Sequence, residues 1–259
     1  MYKFDKEKHL HTLDGKPLTG TSSVTEVLAK PLTWWASGLA CEKLGWLNPK
    51  KAKQEERLKN VGSFLEIIKG MTNEDYLNLL DKAYRAHKDS LDKSADKGTD
   101  LHAELEKFVK AEMGIRNFED DELDERIMPF IEWSRKNVDE FLFSEAHAYS
   151  ERLWTGGIVD AGAELKDGSI AIIDFKSAKA AYTGHFIQAG GYALEIEENG
   201  VFDSKGEKNK KLEKPITKLI IVPFGANPVL PVIMSDIQAY KDGFESAVKL
   251  YRLIFNHQE

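Results

Sequence analysis

The pattern of apolar and polar positions divides the chain into a mainly helical first part and a second part in which strands alternate with helices. Over residues 1–140, a short β-rich start is followed by apolar residues at helical spacing. Over residues 141–259, short β-rich runs separated by glycines precede segments with helical spacing at 182–198 and 235–256. The pattern predicts one α/β domain over residues 1–259, with a central mixed sheet flanked by helices and a mainly helical N-terminal part.

The clearest amphipathic helix is predicted in the sequence GTDLHAELEKFVKAEMG. Thr99 or Asp100 can cap its first turn, and Gly114 can end it. His102 and Glu106 lie one turn apart at the border of the apolar stripe. The stripe comprises Leu101, Leu105, Phe108 and Val109. Taken alone, His102 is interpreted as a helix-border residue that is satisfied by Glu106 or by a backbone carbonyl.

Two β-rich runs, GIVDAGAEL and SIAIIDFKS, are joined by an Asp167–Gly168 turn signal and predict a β-hairpin. Period-two alternation places Asp174 and Lys176 on the same face of the second run. The apolar residues 170–173 before them indicate an interior strand. The hairpin would bring Asp160, from the first run, close to Asp174.

Two carboxylates and a lysine at the end of a buried hairpin need a compensating interaction, because buried charges are costly unless they are paired or bound to metal. Asp160 and Asp174 could hold Mg²⁺ or Mn²⁺, which prefer oxygen ligands and can neutralise a phosphodiester and acidify water. Lys176 could position that water or stabilise the developing charge. A buried Asp174–Lys176 ion pair, with Asp160 at a turn, explains the same residues, so these residues alone leave both interpretations open.

Two helical segments carry residues that disfavour a helix. The segment 120–143 contains Pro129, which predicts a kink or a division into two helices. The segment 182–198 contains Gly190 and Gly191, which lower helix stability. A close approach of this helix to the strand of Asp174 would explain the two glycines.

Composition and charge narrow the classes of protein. The chain of 259 residues is 42% hydrophobic, which suffices for one substantial core, and its formal net charge of −7 lacks the basic excess typical of nucleic-acid-binding proteins. Cys41 is the only cysteine, which excludes an internal disulfide and a cysteine-held iron–sulfur cluster. No apolar run of about eighteen residues and no signal-peptide pattern occur, so we expect a cytoplasmic protein without a membrane span.

The sequence does not determine the role of the tryptophans and of the lysine clusters. Trp34, Trp35 and Trp46 are expected in the core or in the wall of a groove. Lysines cluster at 48–60 and at 203–218, where they form either solvated surfaces or contacts to a nucleic-acid backbone.

The hairpin and its surroundings resemble the PD-(D/E)XK nuclease superfamily, in its RecB-like and phage exonuclease branch. GIVD and IDFKS match the D…(D/E)XK signature, GTDLHAELEKF resembles the upstream histidine helix, and QAGGY resembles the QxxxY motif. SEAHAYSERLWTGGIVD is similar to the strand pair that leads to the first aspartate, and TGTSSVTEVLAKPLTWWASGLACE resembles the start of phage-type members. The specific motifs lie within residues 98–192, and their joint order and spacing carry the resemblance.

The resemblance implies a restriction-endonuclease-like core and a metal site. Asp160, Asp174 and Lys176 would be the catalytic residues. His102, Asp160, Asp174 and the backbone carbonyl of Phe175 would hold Mg²⁺ or Mn²⁺. Some RecB-like enzymes also hold an iron–sulfur cluster through four cysteines, which this chain cannot do.

Four further residues receive less definite roles from the resemblance. Gln188 and Tyr192 would bind DNA or support the catalytic hairpin, although ordinary helix packing would also place them on one face. Glu145 stands at the acidic strand position of the family, and Glu151 is the alternative for this additional acid. Both glutamates could equally be exposed strand residues.

The activity implied is that of a metal-dependent DNA exonuclease, acting on DNA ends or single strands in recombination, repair or phage DNA processing. Such an enzyme would work in a bacterial or phage-infected cell, and a recombinase or annealing-protein partner and a homo-oligomer accord with the family. Two alternatives stay open: a structure-specific endonuclease or nickase on the same fold, and a catalytically silent DNA-binding recombination-partner protein. The intact set of Asp160, Asp174 and Lys176 speaks against the silent protein.

Overall fold

The chain divides into two compact units. The computed structural model describes residues 1–29, 32–115 and 124–255, without the side chains of 92–99 and 208–210. One unit comprises Met1–Ala29 with Gly98–Glu259, and the other comprises Lys30–Lys97. The N-terminal strands and the helical turn that carries His102 therefore belong to the same unit as the strands of the hairpin.

The larger unit contains two β-sheets. Its described strands are β1 (Tyr2–Asp5), β2 (Leu10–Leu13), β3 (Lys16–Pro17), β4 (Thr19–Gly20), β5 (Val138–Ser150), β6 (Thr155–Leu165), β7 (Ile170–Lys176), β8 (Val201–Phe202), β9 (Lys208–Lys210), β10 (Ile216–Pro223) and β11 (Val232–Met234). Strands β1, β2 and β3 form a small antiparallel sheet. The central sheet has the order β11-β10-β7-β6-β5-β8-β9, with β4 also beside β6. Since β7 pairs with β10, and β4 with β6, in parallel while the other pairs are antiparallel, the sheet is mixed, as predicted.

Helices cover both faces of the central sheet, which confirms the α/β class. The described α-helices of the chain are α1 (Thr21–Thr25), α2 (Thr33–Lys43), α3 (Gln54–Lys69), α4 (Asn73–Glu112), α5 (Met128–Asn137), α6 (Thr183–Asn199) and α7 (Gln238–Phe255). Phe108 of α4 and Phe130 of α5 share one apolar cluster with the sheet, and Phe186 of α6 belongs to a second cluster with other strand residues. In the part of the chain that the structure describes, no helix is long and apolar enough to cross a membrane.

The hairpin predicted around Asp167–Gly168 is confirmed. Strands β6 and β7 pair from Ala161 opposite Ile173 to Glu164 opposite Ile170. Gly168 has a φ of 80°, a conformation that glycine adopts without steric cost. The Asp167 carboxylate accepts a hydrogen bond from the backbone N–H of Ser169 at 3.0 Å, which stabilises the turn locally.

Helix α4 is longer than the sequence pattern predicted. Its backbone stays helical through Thr99 and Asp100, so neither residue caps a helix. Residues 73–112 contain no proline that would interrupt the helix. Gly98 within the helix lowers helix stability by only about 1 kcal/mol relative to alanine. The predicted end at Gly114 is confirmed, since this glycine follows the helix with a φ of 69°.

Helix α5 begins at Met128, so Pro129 lies in its first turn and does not kink it. Proline suits the first turn of a helix, because its missing N–H would have no partner there and its φ is already helical. The helix ends at Asn137, and the strand β5 follows directly at Val138, so a helix over 120–143 was wrong. Residues 120–123 of that prediction lie outside the described part of the chain.

The two glycines of α6 are explained by a helix and not by a strand. A Cβ atom on Gly190 would lie 2.7 Å from the carbonyl carbon of Tyr240 in α7, and one on Gly191 would lie 2.6 Å from the Phe244 ring. Strand β6 approaches α6 at a different position, since a Cβ on Gly157 would lie 2.7 Å from Cε1 of Tyr192. Close approach is therefore the correct reason for Gly190 and Gly191, but the expected partner was wrong.

Replacing Gly190 with alanine should lower the free energy of unfolding by about 1–2 kcal/mol. The added methyl group must displace the α7 backbone, and this overpacking outweighs the gain in helix propensity of about 1 kcal/mol. Gly184→Ala is the matched control in the same helix, because its Cβ would meet nothing within 4 Å. Urea unfolding of both variants is the measurement, and equal stabilities would contradict the proposed contact.

The unit Lys30–Lys97 is helical and highly exposed. It contains α2, α3 and the first part of α4, and no residue of α2 or α3 is buried. The Trp34 side chain is 90% exposed, so the expectation that it lies in a core was wrong. Trp46 is partly buried, and a groove-wall role for the tryptophans stays a prediction.

Candidate active site

The candidate site lies where one edge of β6 loses its backbone partners. Strand β5 pairs with β6 along its whole length. On the opposite edge of β6, β4 pairs with Thr155 and Gly156, and β7 pairs with residues 161–164. Within the described residues, positions 157–160 have no strand partner on that edge. The sheet is therefore open beside Asp160.

The Asp160 carboxylate occupies this opening and joins two elements. Its Oδ2 atom accepts a hydrogen bond from the backbone N–H of Phe175 at 2.6 Å, two residues beyond the last β7 residue that pairs with β6. Its Oδ1 atom lies 3.3 Å from Nε2 of His102 in α4. Asp160 thus connects the end of β7 to α4, which carries His102. The contacts with Phe175 and His102 leave further lone pairs of the carboxylate free to bind a metal ion.

Asp174 and Lys176 lie together at the end of β7, as the alternation predicted. The Lys176 ammonium lies 3.0 Å from Oδ1 and 2.9 Å from Oδ2 of Asp174, which is only 1% exposed. Burial raises the pKa of Asp174, and the Lys176 charge opposes this rise. Burial lowers the pKa of Lys176, but the Asp174 and Asp160 charges outweigh it, so that the pKa is raised overall and the lysine stays charged.

His102 reaches the site from α4. Its ring contacts Phe175 edge to face, with 5.7 Å between the ring centroids, which fixes the plane of the imidazole. Burial lowers the pKa of His102, but the Asp160 hydrogen bond and the nearby carboxylates outweigh burial and raise it. The helix-border position was predicted correctly, whereas the partner that the structure brings to Nε2 is Asp160.

Glu145 and Glu151 lie at different places on the hairpin formed by β5 and β6. Since Ser144 pairs with Ala161 and Ala146 pairs with Val159, Glu145 lies opposite Asp160. Glu151 lies in the exposed turn after β5, about six residues or roughly 20 Å further along the strand. Of the two acids that the motif offered, the structure brings Glu145 to the site and not Glu151.

The environment of Glu145 is unusual for a carboxylate. Burial, followed by the Asp160 charge, raises the pKa of Glu145 to about 7. Its Oε1 atom is buried and has no hydrogen-bond partner among the described residues. Such an orphaned oxygen is costly, so a ligand or a proton is expected to satisfy it.

Glu106 is the site residue whose role sequence reasoning missed. It was considered only as a partner of His102, one turn away on α4. Ligand atoms of His102, Glu106 and Glu145 all lie within 4.8 Å of one another, close enough to bind one metal ion. The Glu106 carboxylate also pairs with Lys110. The spacing of His102 and Glu106 was visible in the sequence, but the position of Glu145 was not.

Gln188 and Tyr192 lie behind the site and not on its surface. The Gln188 amide donates a hydrogen bond to the Tyr192 hydroxyl at 2.8 Å, and the two residues are only 8% and 5% exposed. Burial, with the Asp174 and Asp160 charges, raises the pKa of Tyr192 far above its usual value, so its hydroxyl stays neutral. Both residues are placed to support the open edge of β6, where Gly157 makes room for the tyrosine ring.

The donor set suits a hard divalent cation. Carboxylates, a backbone carbonyl and an imidazole are ligands of Mg²⁺ and Mn²⁺, and the described residues near the site include no thiolate. A cation would also relieve the repulsion between Asp160, Asp174 and Glu145, which Lys110 and Lys176 only partly offset. Charge compensation by metal is therefore consistent with the side chains that the fold collects.

No protein-family model matches the chain, and no curated protein matches it. Any functional assignment therefore depends on the geometry of the site and on the motifs in the sequence.

Proposed function

We propose that this chain is a metal-dependent DNA exonuclease with a restriction-endonuclease-like core. The observation that carries the proposal is the open edge of β6, where Asp160, Asp174 and Lys176 converge. A purely structural ion pair would need only Asp174 and Lys176, and it would not explain why the Asp160 carboxylate binds the β7 backbone beside them. His102, which is distant in the sequence, lies beside Asp160 and adds an imidazole that could bind the same metal ion.

Each side chain has a distinct role in the proposed reaction. Asp160, Asp174, His102 and the carbonyl of Phe175 would hold Mg²⁺ or Mn²⁺, which supplies charge neutralisation to a phosphodiester and acidifies water. Lys176 would donate a hydrogen bond to the attacking water or to a phosphate oxygen as negative charge develops. Its raised pKa keeps it protonated for this role.

Gln188 and Tyr192 are assigned a positioning role. Their mutual hydrogen bond and their burial favour support of the hairpin over direct contact with DNA. The neutral Tyr192 ring packs beside Gly157, which is one of the β6 residues without a strand partner on the open edge. The ring would thus keep Asp160 at a constant distance from β7.

Digestion of end-labelled linear DNA beside covalently closed circular DNA tests the proposal. With Mg²⁺ or Mn²⁺ we expect progressive loss of the linear DNA, intact circles, and no reaction in EDTA, because an exonuclease needs an end and the site needs a cation. Cutting of the circles would replace the exonuclease with an endonuclease or nickase. Tight DNA binding without turnover in either metal would favour the silent DNA-binding protein instead.

A further inference from the structure

A cavity of about 360 Å³ lies at the turn end of the hairpin formed by β6 and β7. Its lining comes from α5, the β6–β7 turn, β10 and β11, which all belong to the larger unit. Ala171, which pairs with Lys218 of this lining, precedes Lys176 on β7 by five residues, or roughly 16 Å along the strand. A ligand in this cavity would therefore not occupy the candidate active site.

The lining of this cavity carries an excess of positive charge, in a chain whose formal net charge is −7. Lys136, Lys166 and Lys218 contribute three positive charges, and Asp167 contributes one negative charge. Lys218 forms an ion pair with Asp167 at 2.5 Å. The Lys166 ammonium donates a hydrogen bond to the backbone carbonyl of Arg135 at 2.8 Å. Since neither Lys136 nor Lys166 pairs with a carboxylate of the described residues, both can bind an external anion.

Apolar side chains border these lysines. Trp133 lines the cavity and is partly exposed, and its ring is stacked on Phe130 with 6.0 Å between the centroids. Ile233 of β11 also lines the cavity, although 39% of it is exposed. Strand β11 is the last strand of the central sheet, and in the described part of the chain it pairs only with β10. Its outer edge is therefore open to another chain.

The combination of cations and apolar groups favours an acidic peptide as the ligand. An inorganic anion would bind the lysines but would leave Trp133 and Ile233 uncovered. A nucleic-acid backbone is bound mainly through its phosphates, which need cations and gain little from an exposed isoleucine. An acidic peptide supplies carboxylates for the lysines and an apolar side chain for Trp133 and Ile233, and its backbone can approach the open edge of β11. The cavity volume also lies within the range of about 300–1,000 Å³ that is typical of ligand pockets.

We propose that this cavity and the adjoining edge of β11 form a docking site for an acidic segment of a partner protein. Carboxylates of the segment bind the ammonium groups of Lys136 and Lys166, and an apolar side chain packs against Trp133 and Ile233. The inference goes beyond the proposed function and does not rest on it, because the docking site shares no side chain with the site around Asp160. A partner bound here would leave that site open.

Binding of fluorescein-labelled peptides to the full-length chain tests the docking site. The probes are a panel of short peptides in which glutamates surround one leucine at different spacings, and the same peptides with glutamine in place of glutamate. We expect at least one acidic peptide to bind at low salt with a Kd of about 10–100 µM, as a weak, transient contact would. Its glutamine counterpart should bind about tenfold more weakly or not at all, because the ion pairs are lost.

Charge reversal on the chain gives the matched test. The double variant Lys136→Glu with Lys166→Glu should bind the acidic peptide at least about tenfold more weakly, since two attractive contacts become repulsive. The double variant Lys43→Glu with Lys249→Glu changes the net charge equally at exposed positions elsewhere and should bind like the wild type. Ile233→Thr retains a β-branched residue for the strand and should weaken binding several-fold, because apolar contact is lost.

Fluorine NMR of fluorotryptophan-labelled protein locates the bound peptide. The chain has five tryptophans, and the Trp133→Phe variant assigns the resonance of Trp133. The acidic peptide should shift this resonance. It should leave the resonance of Trp154 unchanged, because Trp154 packs against a different apolar cluster.

Each outcome supports or overturns the docking site. Failure of every acidic peptide to bind, or equal binding by the two charge-reversed proteins, would overturn it. A Trp133 resonance that shifts with short single-stranded DNA in EDTA, but not with the peptides, would replace it with a nucleic-acid surface. These measurements involve no DNA hydrolysis, so their failure would leave the nuclease proposal standing, and a protein that binds peptide but does not digest DNA would refute only that proposal. Circular dichroism of each variant verifies that it is folded.

Discussion

Replacing Lys176 with alanine should lower the rate of DNA hydrolysis roughly 10²–10³-fold, the effect of removing one donor that stabilises developing charge. Lys176 is the ammonium that contacts both oxygens of Asp174 at the open edge of β6. The measurement is the initial rate on end-labelled linear DNA at saturating Mg²⁺. Lys249→Ala, an exposed lysine on α7, should retain the wild-type rate.

Loss of Lys176 also leaves the buried Asp174 without its partner, and an unpaired buried charge can destabilise a protein by about 3–5 kcal/mol. Lys176→Gln is therefore measured in parallel, since its amide can still donate a hydrogen bond to Asp174. We expect it to be folded and nearly as inactive as Lys176→Ala. A folded Lys176→Gln protein with the wild-type rate would remove Lys176 from the catalytic set.

Replacing Glu195 with glutamine should stabilise the protein increasingly as the pH rises from about 4.5 to about 8. Glu195 of α6 is fully buried and accepts hydrogen bonds from Thr21 at 2.5 Å and from Thr155 at 2.8 Å. Burial is the main cause that raises its pKa to about 8, with a smaller contribution from the Glu198 charge. Glutamine resembles the protonated carboxyl in shape and charge, so it removes the titration and retains the two acceptor bonds.

The sign follows from proton linkage at Glu195. Between pH 4.5 and about 8 the folded protein holds a proton that the unfolded chain releases, so the wild-type stability contributed by this group is present at low pH and falls as the pH rises. The slope is about 1.4 kcal/mol per pH unit at most. Above the folded pKa the difference between wild type and variant becomes constant.

Urea unfolding at pH 5, 6, 7 and 8 measures the difference between wild type and Glu195→Gln. The exposed Glu213→Gln variant is the control and should follow the wild type at every pH. A constant difference across the range would contradict a raised pKa at Glu195. The result also bears on the site, because Glu195 connects α1 to β6 just before the open edge.

Local sequence determined the hairpin formed by β6 and β7. Asp167 and Gly168 specify the turn, and the apolar run before Asp174 specifies an interior strand, since both signals act over a few neighbouring residues. Once the turn and the alternation of the two strands are known, counting residues back from the turn along each strand places Asp160 close to Asp174. The same local reasoning placed His102 and Glu106 one turn apart.

Helix boundaries depended on more than local propensity. The caps expected at Thr99 and Asp100 do not form, because α4 continues through both residues and no proline ends it before them. Pro129 could equally kink a helix or begin one, and the adjacent strand β5 decides between these outcomes. Gly190 could not be assigned to its neighbour α7 from sequence, since the two helices meet only after the chain has folded.

The sequence by itself determined the class of the fold, the hairpin and the types of side chain available for a metal site. Only the tertiary structure decided which of them meet: it opened β6 beside Asp160, selected Glu145 over Glu151, and joined Glu106 to the site. The physical reason is the range of the interactions. Turns and alternation are set by adjacent residues, whereas the pairing of β5 with β6 and the packing of α4 on the sheet join residues distant along the chain.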